Sequence, residues 1–351
     1  MASRTTPYFV HLAGGFSGMN NPGGRVYWVA ATGYLAVDGV APSDSNNGTS
    51  PQQPFATVQA ALNACTAGRG DIVAVLPGTY TITTALTMTK DDVTLMSALP
   101  VGARERGGVV IVNATAATGL LTIDANNCSV IGLVFDDNVT AATADTGVIL
   151  ISTASTAELV TGTKIINCYL DMLGADADRD GICVGLTTDA TDAAPYTLIE
   201  GCTVLDCDQD AIVVNVGSGY SVIRDCHIYD VANLTRYGVE VLATSVTVED
   251  CDIMVGDTAT PGACIHNGVA AARLLAHRNH LAAFGADTTG ILVINTATQM
   301  TSGNWIVAAA AANIVDYLTA STTPSADANV QSVYGADPPT ASFDTPTVAG
   351  A

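Results

Sequence analysis

The stretch Ile165-Ile166-Asn167-Cys168-Tyr169-Leu170 contains a pattern that recurs along the chain. An apolar residue is followed by two spacers, a Cys or Asn, one spacer and a second apolar residue. The residues at the fourth position of the copies are Leu133, Cys168, Cys202, Cys226, Cys251, Asn279 and Asn304. They are separated by steps of 35, 34, 24, 25, 28 and 25 residues. A period of roughly 20 to 50 residues is typical of a repeat architecture.

A second, shorter signal lies inside each repeat: a Gly or Ala followed by alternating apolar residues. Gly181-Ile182-Cys183-Val184 and Gly238-Val239-Glu240-Val241 are two of its copies. Each repeat therefore contains at least two short strands, separated by turns rich in Gly, Asp, Asn and Thr. No repeat has room for a helix of three turns, which excludes βαβ units. Short strands with one inward face, repeated in this way, predict the coils of a parallel β-helix.

The column of key residues has a physical reason in such a fold. Each coil lies about 4.8 Å above the previous one, so equivalent residues stack directly. Cys behaves as a small apolar residue and suits a narrow interior. Asn279 and Asn304 continue the column at its far end, where stacked Asn side chains can hydrogen-bond along the axis. The sequence therefore predicts an all-β fold with an inward column of thiols and amides.

The composition favours an all-β solenoid and excludes some partners. The 351 residues are 48% hydrophobic and 13% charged, with a net charge of -21 and a pI near 4.1. Only 12 residues are Lys or Arg and they form no run, so we do not expect nucleic-acid binding, which needs clusters of positive charge. We interpret the acidity as a solvated surface that keeps a large particle soluble, with cation binding as the alternative.

The cysteines and the amino terminus bear on the compartment. The chain has nine Cys, an odd number, and no C-x-x-C pair, so we expect buried free thiols and neither a metal site nor a cofactor. The amino-terminal residues lack a basic stretch followed by an apolar run, so no secretory signal is expected. No uninterrupted run of about 18 apolar residues occurs, so no membrane span is expected either.

The repeats divide the chain into four parts. Residues 1–40 form a predicted docking arm, 41–70 a turn cluster and a capping helix, 71–307 the β-helix, and 308–351 an extended tail. The helix is predicted over 54–65, where it covers the open apolar end of the tube. The aromatic-rich arm either packs on the flank of the β-helix or docks on a partner. The candidate partner-binding residues of arm and tail are Tyr8, Phe9, Phe16, Tyr27, Trp28, Tyr317, Tyr334 and Phe343.

Three segments near the predicted start of the coils carry a resemblance. They are Asp44-Ser45-Asn46-Asn47-Gly48-Thr49-Ser50, Pro54-Phe55-Ala56-Thr57-Val58-Gln59-Ala60-Ala61-Leu62 and Gly70-Asp71-Ile72-Val73-Ala74-Val75-Leu76-Pro77-Gly78-Thr79-Tyr80. In this order they resemble the amino-terminal segment of right-handed parallel β-helix proteins of the pectate-lyase-like superfamily. More narrowly, 41–307 is similar to β-helix proteins encoded among the virion genes of tailed bacteriophages. The resemblance implies a single-stranded right-handed parallel β-helix. It does not imply an activity, because this fold hosts lyases, hydrolases, epimerases and inert virion parts.

Carboxylates would be needed if the protein cleaved polysaccharides. Asp206, Asp208 and Asp210 precede a predicted strand, and Asp225 lies one coil further on. In β-helix hydrolases, Asp residues of neighbouring coils act as acid and base across a glycosidic bond. The Gly-His-Gly and Arg-Ile-Lys segments of polygalacturonases are absent, however, and the nearest sequence, Cys226-His227-Ile228, lacks both glycines. We favour the other interpretation, in which these Asp residues bind main-chain N–H groups in turns.

Two further groups of residues could suggest metal binding. Asp176-Ala177-Asp178-Arg179-Asp180-Gly181 has alternating carboxylates before a Gly, but it lacks the acidic residue that ends a calcium loop and leads into a strand. We therefore expect these carboxylates to be turn residues, and the alternative is that they bind a cation weakly at the surface. His227, His266, His277 and His280 show no metal-ligand spacing and are expected in turns or on the surface. No metal site and no catalytic residue is assigned.

These observations lead to a functional prediction. We expect a non-enzymatic virion structural protein, a capsid decoration or cement protein of a bacteriophage, located in the virion. Its arms would bind the major capsid protein and neighbouring copies, and a homotrimer would suit three-fold positions of the shell. Neither nucleic acid nor membrane is expected as a partner. The alternative is a tailspike or another glycan-binding or glycan-depolymerising β-helix protein, with glycoside hydrolase or lyase activity.

Overall fold

A computed structural model of the chain describes residues 23–34, 39–99, 108–114, 119–137, 147–152, 159–172, 180–186, 193–207, 209–230, 237–256, 262–268, 273–283, 289–294, 298–308, 315–318, 325–327 and 330–333. Its elements up to the middle of the chain are β1 (Val26–Val29), α1 (Val58–Ala64), β2 (Ile72–Val75), β3 (Gly78–Ile82), β4 (Leu86–Met88), β5 (Thr94–Ser97), β6 (Val109–Asn113), β7 (Leu121–Ile123), β8 (Ser129–Ile131), β9 (Val134–Asp136), β10 (Ile149–Ile151), β11 (Lys164–Ile166), β12 (Tyr169–Asp171), β13 (Ile182–Val184), β14 (Leu198–Glu200) and β15 (Thr203–Leu205). They continue with β16 (Ile212–Val214), β17 (Val222–Arg224), β18 (His227–Asp230), β19 (Tyr237–Val241), β20 (Val246–Glu249), β21 (Asp252–Val255), β22 (Ala263–Asn267), β23 (Arg273–His277), β24 (His280–Ala283), β25 (Thr289–Ile294), β26 (Thr298–Ser302), β27 (Trp305–Ala308), β28 (Val315–Leu318), β29 (Ser325–Asp327) and β30 (Val330–Val333).

Three parallel sheets wind around one core. Sheet A has the order β1-β2-β5-β8-β11-β14-β17-β20-β23-β26-β29, sheet B the order β3-β6-β9-β12-β15-β18-β21-β24-β27-β30, and sheet C the order β4-β7-β10-β13-β16-β19-β22-β25-β28. Neighbouring strands come from successive coils and run parallel, and the register places equivalent residues opposite one another. Ile165, for example, pairs with Val130 of the preceding coil and with Ile199 of the next. The predicted all-β, parallel β-helical fold is confirmed.

From β8 onward the chain turns from sheet A to sheet B within two residues, a connection called the A–B corner here. In the coil of β11 and β12 these residues are Asn167 and Cys168. The first of the two has a left-handed backbone, with φ of 51° at Asn167. The residues with positive φ at this corner are Gly132, Asn167, Gly201, Asp225, Asp250, Arg278 and Gly303. Gly, Asn and Asp tolerate this conformation best, which explains why they precede the key residue in most coils.

The residue after each left-handed turn points into the core. The seven key residues of the repeat are at most 2% exposed. The Cys202 Sγ lies 3.5 Å from the carbonyl oxygen of Ile165 in the previous coil and 3.5 Å from that of Glu200 in its own coil. Cys226 repeats this pair of contacts one coil further on. The predicted inward column is therefore present, and it links each coil to the one before.

The amides of Asn279 and Asn304 follow the thiols in this column. The Asn304 Oδ1 accepts hydrogen bonds from the main-chain N–H and the Nδ2 of Asn279, both at 3.0 Å. The Asn279 Oδ1 accepts from the main-chain N–H of Cys251 at 3.0 Å, and its Nδ2 donates to the carbonyl of Val248 at 2.9 Å. The predicted axial bonding of the amides is therefore confirmed, and each amide also binds main-chain groups.

Helix α1 covers the amino-terminal end of the core. Thr57 is its N-cap, and the Thr57 hydroxyl accepts from the main-chain N–H of Ala60. The buried residues of the helix are Val58, Ala61 and Leu62, and they belong to the main core. The helix starts later than the predicted residue 54, because the Asp44 carboxylate holds the main-chain N–H groups of Ala56 and Thr57 in a loop.

The first full strand of sheet A is anchored by Asp71, which is 0% exposed. Its carboxylate accepts from the main-chain N–H groups of Arg25 at 2.8 Å and Thr66 at 2.7 Å, and from the Arg69 guanidinium in two bonds of 2.6 Å. Arg69 also donates to the Tyr27 hydroxyl at 3.1 Å. Burial opposes ionisation of Asp71, but these hydrogen bonds outweigh it and lower the pKa of the carboxyl group.

The β-helix is longer at both ends than the predicted range of 71–307. Strand β1 lies within the predicted arm, yet it pairs with β2 as the first strand of sheet A. Strands β28, β29 and β30 lie within the predicted tail, yet they extend sheets C, A and B. Both boundaries are corrected accordingly. These strands contain no copy of the repeat pattern, so the sequence did not identify them.

Candidate functional site

The carboxylates considered for glycan cleavage lie at two different corners of the coil. Asp206 and Asp210 lie between sheets B and C, whereas Asp225 occupies the left-handed position of the A–B corner. A strand of sheet B, His227–Asp230 in this coil, separates the two corners. At about 3.3 Å per residue this strand spans roughly 13 Å. Asp208 lies outside the described residues. The three described carboxylates therefore do not line one groove.

The carboxylate of Asp210 is bound within the turn. Its Oδ1 accepts from the main-chain N–H of Tyr237 in the next coil at 2.9 Å. Its own main-chain N–H donates to the Oδ1 of Asp180 in the previous coil at 3.2 Å. Both side chains are buried. This ladder of carboxylates agrees with the turn interpretation for Asp210 and for Asp180, the last acidic residue of the calcium-like segment; Asp176 and Asp178 lie outside the described residues.

Asp206 has a different environment. It adopts a left-handed backbone with φ of 51°, and burial together with the nearby charge of Asp171 raises the pKa of its carboxyl group. Asp171 pairs in register with Asp136 of the preceding coil. A carboxyl group with a raised pKa beside a second carboxylate can act as a general acid. Stacking of acidic residues on neighbouring coils also produces this arrangement without any catalytic role.

The aromatic residues of β1 do not form a free surface. Tyr27 is 6% exposed and Trp28 is 7% exposed. Tyr27 packs in the main core with its ring centroid 6.2 Å from that of Phe55, while Trp28 packs with Ala74 and Ala98. For these two residues, packing on the β-helix replaces the prediction of partner anchoring. The side chains of the other six, Tyr8, Phe9, Phe16, Tyr317, Tyr334 and Phe343, lie outside the described part of the chain.

Two tyrosines that the sequence analysis did not single out are exposed side by side. Tyr196 is 59% exposed and Tyr220 is 60% exposed, and their rings stack with centroids 5.3 Å apart and planes 11° apart. Both have left-handed backbones, with φ of 60° and 59°. A bulky residue in this conformation costs on the order of 1 kcal/mol and is a sign of a functional or packing constraint.

The tyrosine stack lies on the connection from sheet C to sheet A, called the C–A corner here. The main-chain N–H of Tyr196 donates to the carbonyl of Gly219 at 3.1 Å, which sets the two turns in register. The same connection exposes Leu159 by 49% and Val216 by 42%. The C–A corner therefore presents aromatic and aliphatic side chains from three successive coils to solvent. Patches of this kind are typical of interaction surfaces.

The spacing of the tyrosines contains a signal that could have identified them. Tyr196 and Tyr220 are 24 residues apart, as are Cys202 and Cys226. Each tyrosine is followed by a residue with a hydroxyl group and then by a strand of sheet A. The inward apolar residues set this period because they carry the fold, and the outward tyrosines share it.

The outer face of sheet B carries a second group of side chains. The Asp252 carboxylate accepts from the Tyr229 hydroxyl at 2.8 Å and lies 3.0 Å from the Nδ1 of His280. The Trp305 indole, 54% exposed, meets the His280 ring edge-on with centroids 5.9 Å apart. These side chains come from four successive coils, so their proximity depends on strand register and is not visible as a sequence motif.

Histidines elsewhere also pair with carboxylates of the preceding coil. The His266 Nδ1 lies 3.1 Å from Glu240 Oε1, and the His277 Nε2 lies 2.8 Å from Glu249 Oε2. His266 is 3% exposed and stacks on the Tyr237 ring with centroids 3.8 Å apart, and His227 is 7% exposed in β18. The expectation of a turn or surface position is therefore wrong for these two histidines. Among the described residues, no group of three or more His, Cys, Asp or Glu side chains is placed to hold a metal ion. No helix in the described ranges is long and apolar enough to cross a membrane.

The coil geometry and the family comparison agree. A family model described as right-handed β-helix region matches residues 107–322, which is more than half of the chain. The chain therefore belongs to the right-handed β-helix family, and the predicted fold class, including its hand, is confirmed. No curated protein matches the chain.

Several solved structures are similar to this one at low sequence identity. A pectate lyase, Pel9A, has a TM-score of 0.48 and 13% identity, over 89% of this chain and 80% of that chain. The A-module of the Azotobacter vinelandii mannuronan C-5 epimerase AlgE4 has a TM-score of 0.46 and 15% identity, over 80% and 93%. ORF18 of Geobacillus virus E2 has a TM-score of 0.42 and 14% identity, over 79% and 56%. At these values the similarities assign no activity to this chain.

Proposed function

We propose that the protein is a structural component of a bacteriophage virion, a decoration or cement protein on the capsid surface. The observation that carries this proposal is the use of the turn carboxylates. Asp180 and Asp210 bind main-chain N–H groups of the next coil instead of facing a groove. Carboxylates bound in this way hold coils together and are not available as the acid and base of a glycosidase. The protein would then act as a rigid spacer and adhesive rather than as a catalyst.

The exposed apolar surfaces would supply the contacts. The C–A corner exposes Tyr196 and Tyr220 as a stacked pair, and aromatic residues are enriched at the centres of protein interfaces. The proposed partners are the major capsid protein and neighbouring copies of the chain, arranged as a homotrimer at three-fold positions. A net charge of -21 would keep a densely covered particle soluble.

Mass spectrometry of purified virions tests this proposal. We expect the protein on the order of hundreds of copies per particle, because a decoration protein follows the symmetry of the shell. A handful of copies would place it in the tail, and its absence from virions would contradict a virion role. Capsids should also bind a Tyr196→Ser, Tyr220→Ser double variant less than they bind the parent chain. Val40→Ser, at an exposed apolar residue of the amino-terminal region, is the matched control and should leave binding unchanged.

A second candidate, a glycan-binding β-helix protein, is favoured by the same tyrosine stack. Exposed aromatic faces pack against the apolar faces of sugar rings, and Tyr196 with Tyr220 extends this surface over two coils. Incubation with host polysaccharide distinguishes the possibilities. Retention of the polysaccharide without release of oligosaccharides would indicate binding alone. Release that is lost in Asp206→Asn, at the carboxyl group whose pKa is raised, would instead indicate an enzyme.

A further inference from the structure

The first strands of the three sheets differ in what covers their outward main-chain groups. In sheet A the edge of β1 is closed by the loop that follows it. The Trp28 main-chain N–H donates to the carbonyl of Gly48 at 2.7 Å, and its carbonyl accepts from Phe55 at 2.9 Å. The Ala30 N–H donates to the Phe55 carbonyl at 3.0 Å. These bonds pair both outward main-chain groups of Trp28 and the N–H of Ala30, and proteins commonly cover a strand edge in this way to prevent edge-to-edge association.

In sheet C the edge of β4 is closed by one side chain of helix α1. The Gln59 Oε1 accepts from the main-chain N–H of Thr87 at 2.9 Å, and the Gln59 Nε2 donates to the Thr87 carbonyl at 3.2 Å. A side-chain amide reproduces the donor and acceptor of a neighbouring strand in this geometry. The edge of β4 therefore has its central residue paired, although the described part of the chain has no strand before β4 in sheet C.

In sheet B the edge of β3 has no such cover among the described residues. The Gly78 N–H donates to Gly108 and the Ile82 carbonyl accepts from Ala114, so alternate residues of β3 point toward β6. The main-chain groups of Thr79 and Thr81 must then point the other way, where the described chain places no strand. We call these groups the open edge of β3. Both threonine side chains are exposed.

A pocket of about 480 Å³ lies along the open edge. Its walls come from the segment after β1, the start of α1 and β3 itself, and none of the lining side chains is charged. The strand Gly78–Ile82 also lacks the Lys, Pro or bulge that commonly protects an edge. The pocket occupies the place that a sheet B strand of the first coil would fill. It has the shape and the main-chain groups to accept an extended segment.

We propose that the open edge of β3 binds residues 1–22 of a second copy of the chain, which add to sheet B as an extra strand. This inference rests on the proposed function, in which neighbouring copies of the chain contact one another. Twenty-two residues precede Gly23, whereas an added strand needs about five. The segment Tyr8-Phe9-Val10-His11-Leu12 is rich in the aromatic and β-branched residues that strands favour.

Charge favours the amino-terminal segment as the occupant, and connectivity favours the segment of a second copy. Residues 1–37 contain no Asp or Glu, so all 33 acidic residues lie in the rest of the chain and would attract the amino-terminal segment of a neighbour. Residues 1–22 join the amino end of β1, whereas the pocket lies beyond its carboxyl end at Ala31 and Thr32. A chain that filled its own pocket would have to double back past β1, whose edge is already paired.

Cross-linking between two single variants tests the proposal. One full-length chain carries Val10→Cys and the other Thr81→Cys; the native thiols, all buried, should not react. After mild oxidation of the mixture we expect a disulfide-linked heterodimer on a non-reducing gel. Replacing the second partner by Thr244→Cys, an exposed position far from β3, gives the background. A heterodimer yield no higher than this background would overturn the proposal, as would a chain carrying both substitutions that cross-links only within itself.

A second measurement uses the open edge itself. Thr81→Pro removes the outward N–H, and an edge strand tolerates Pro on its unpaired side, so β3 should keep its pairing with β6. We expect about tenfold weaker self-association by sedimentation for Thr81→Pro, because a strand hydrogen bond and the fit of the added strand are lost. Thr81→Val keeps the N–H and should associate like the parent. Equal association of both variants would contradict the inference. A chain that self-associates through this edge but is absent from virions would contradict only the proposed function.

Discussion

Asp71 and the column at the A–B corner hold coils together by opposite means. Asp71 is a buried charge that accepts hydrogen bonds from Thr66 and Arg69, which are close to it in the chain, and from Arg25, which is 46 residues away. The column is neutral: from Cys168 to Asn304 it consists of thiols and amides that bind the main chain of adjacent coils, one in each coil. A buried charge is stable only where several donors converge on it, whereas a neutral group can be repeated at every coil. A buried carboxylate therefore suits the amino-terminal end of the β-helix, which occurs once. Neutral thiols and amides suit the coils that follow, where the same position recurs.

The column itself uses two chemistries. The thiols from Cys168 to Cys251 make long, weak contacts of 3.2–3.8 Å with carbonyl oxygens. The amides of Asn279 and Asn304 make bonds of 2.9–3.0 Å and satisfy main-chain N–H groups as well. The amide end should therefore depend on specific hydrogen bonds, while the thiol end depends mainly on packing.

The largest effect is expected at Asp71. Asp71→Asn places an NH₂ group against main-chain N–H and guanidinium donors, so at least one buried donor loses its acceptor. We expect the free energy of unfolding to fall by about 3–4 kcal/mol, on the basis of about 1–3 kcal/mol for each buried donor left unpaired. Urea denaturation at about pH 7 measures it. Asp225→Asn, at an exposed turn carboxylate, is the matched control and should change stability by less than about 0.5 kcal/mol.

The difference in stability between the parent chain and Asp71→Asn should depend on pH, and the pKa of Asp71 fixes the direction of this dependence. The pKa of Asp71 is lower in the folded chain than in the unfolded chain, so its stabilising contribution is complete above the unfolded value, about 4. The contribution disappears as the pH falls from there through the folded pKa. The difference in stability between the parent and Asp71→Asn should therefore be constant from about pH 7 to 5 and narrow below about pH 4. A difference that grows on acidification would contradict the role given to the carboxylate.

A smaller effect is expected in the amide end of the column. Asn279→Ala leaves the Cys251 N–H and the Val248 carbonyl without their partner and opens a small cavity. We expect a loss of about 2–3 kcal/mol in the free energy of unfolding. Asn279→Cys, which extends the thiol chemistry by one coil, fills the space and should lose only about half as much. Equal losses for the two variants in urea denaturation would mean that packing alone, and not the amide hydrogen bonds, stabilises this end.

The column was the part of the fold that sequence could predict best. Its residues recur because each one follows a left-handed turn and points inward, so the same small side chains are selected at each coil. Cys202 and Cys226, with apolar residues three before and two after each, indicate the corner and the two strands that flank it. Inward positions are constrained by packing at every repeat, and this constraint leaves a period in the sequence.

The period of the inward residues did not predict the contacts at the ends of the β-helix or on its surface. Asp71 and Gln59 act only once, and each has a partner that is distant in the chain, Arg25 for Asp71 and Thr87 for Gln59, so no period in the sequence indicates them. Tyr27 and Trp28 belong to a coil that has no full copy of the repeat, and their aromatic character indicated an anchor where the structure has a core. The cluster around Asp252 needed the strand register to bring four coils together.

The smallest effect is expected for the reactivity of the thiols. It tests whether the thiols of the column, unlike the buried carboxylate of Asp71, are held mainly by packing. Burial raises the pKa of the Cys202 and Cys226 thiols well above the ordinary value, and that of Cys128 and Cys264 to about 12. Because the thiolate is the reactive form, labelling should stay slow even as the pH rises toward about 10. We expect less than one labelled thiol per native chain with a maleimide or disulfide reagent, against all nine in denaturant. Thr244→Cys, an exposed position, should add one rapidly labelled thiol, whereas Asn279→Cys should add none, because the tenth thiol would join the buried column. Rapid labelling of the native column would mean that its coils open, and the packing that links them would have to be reassigned.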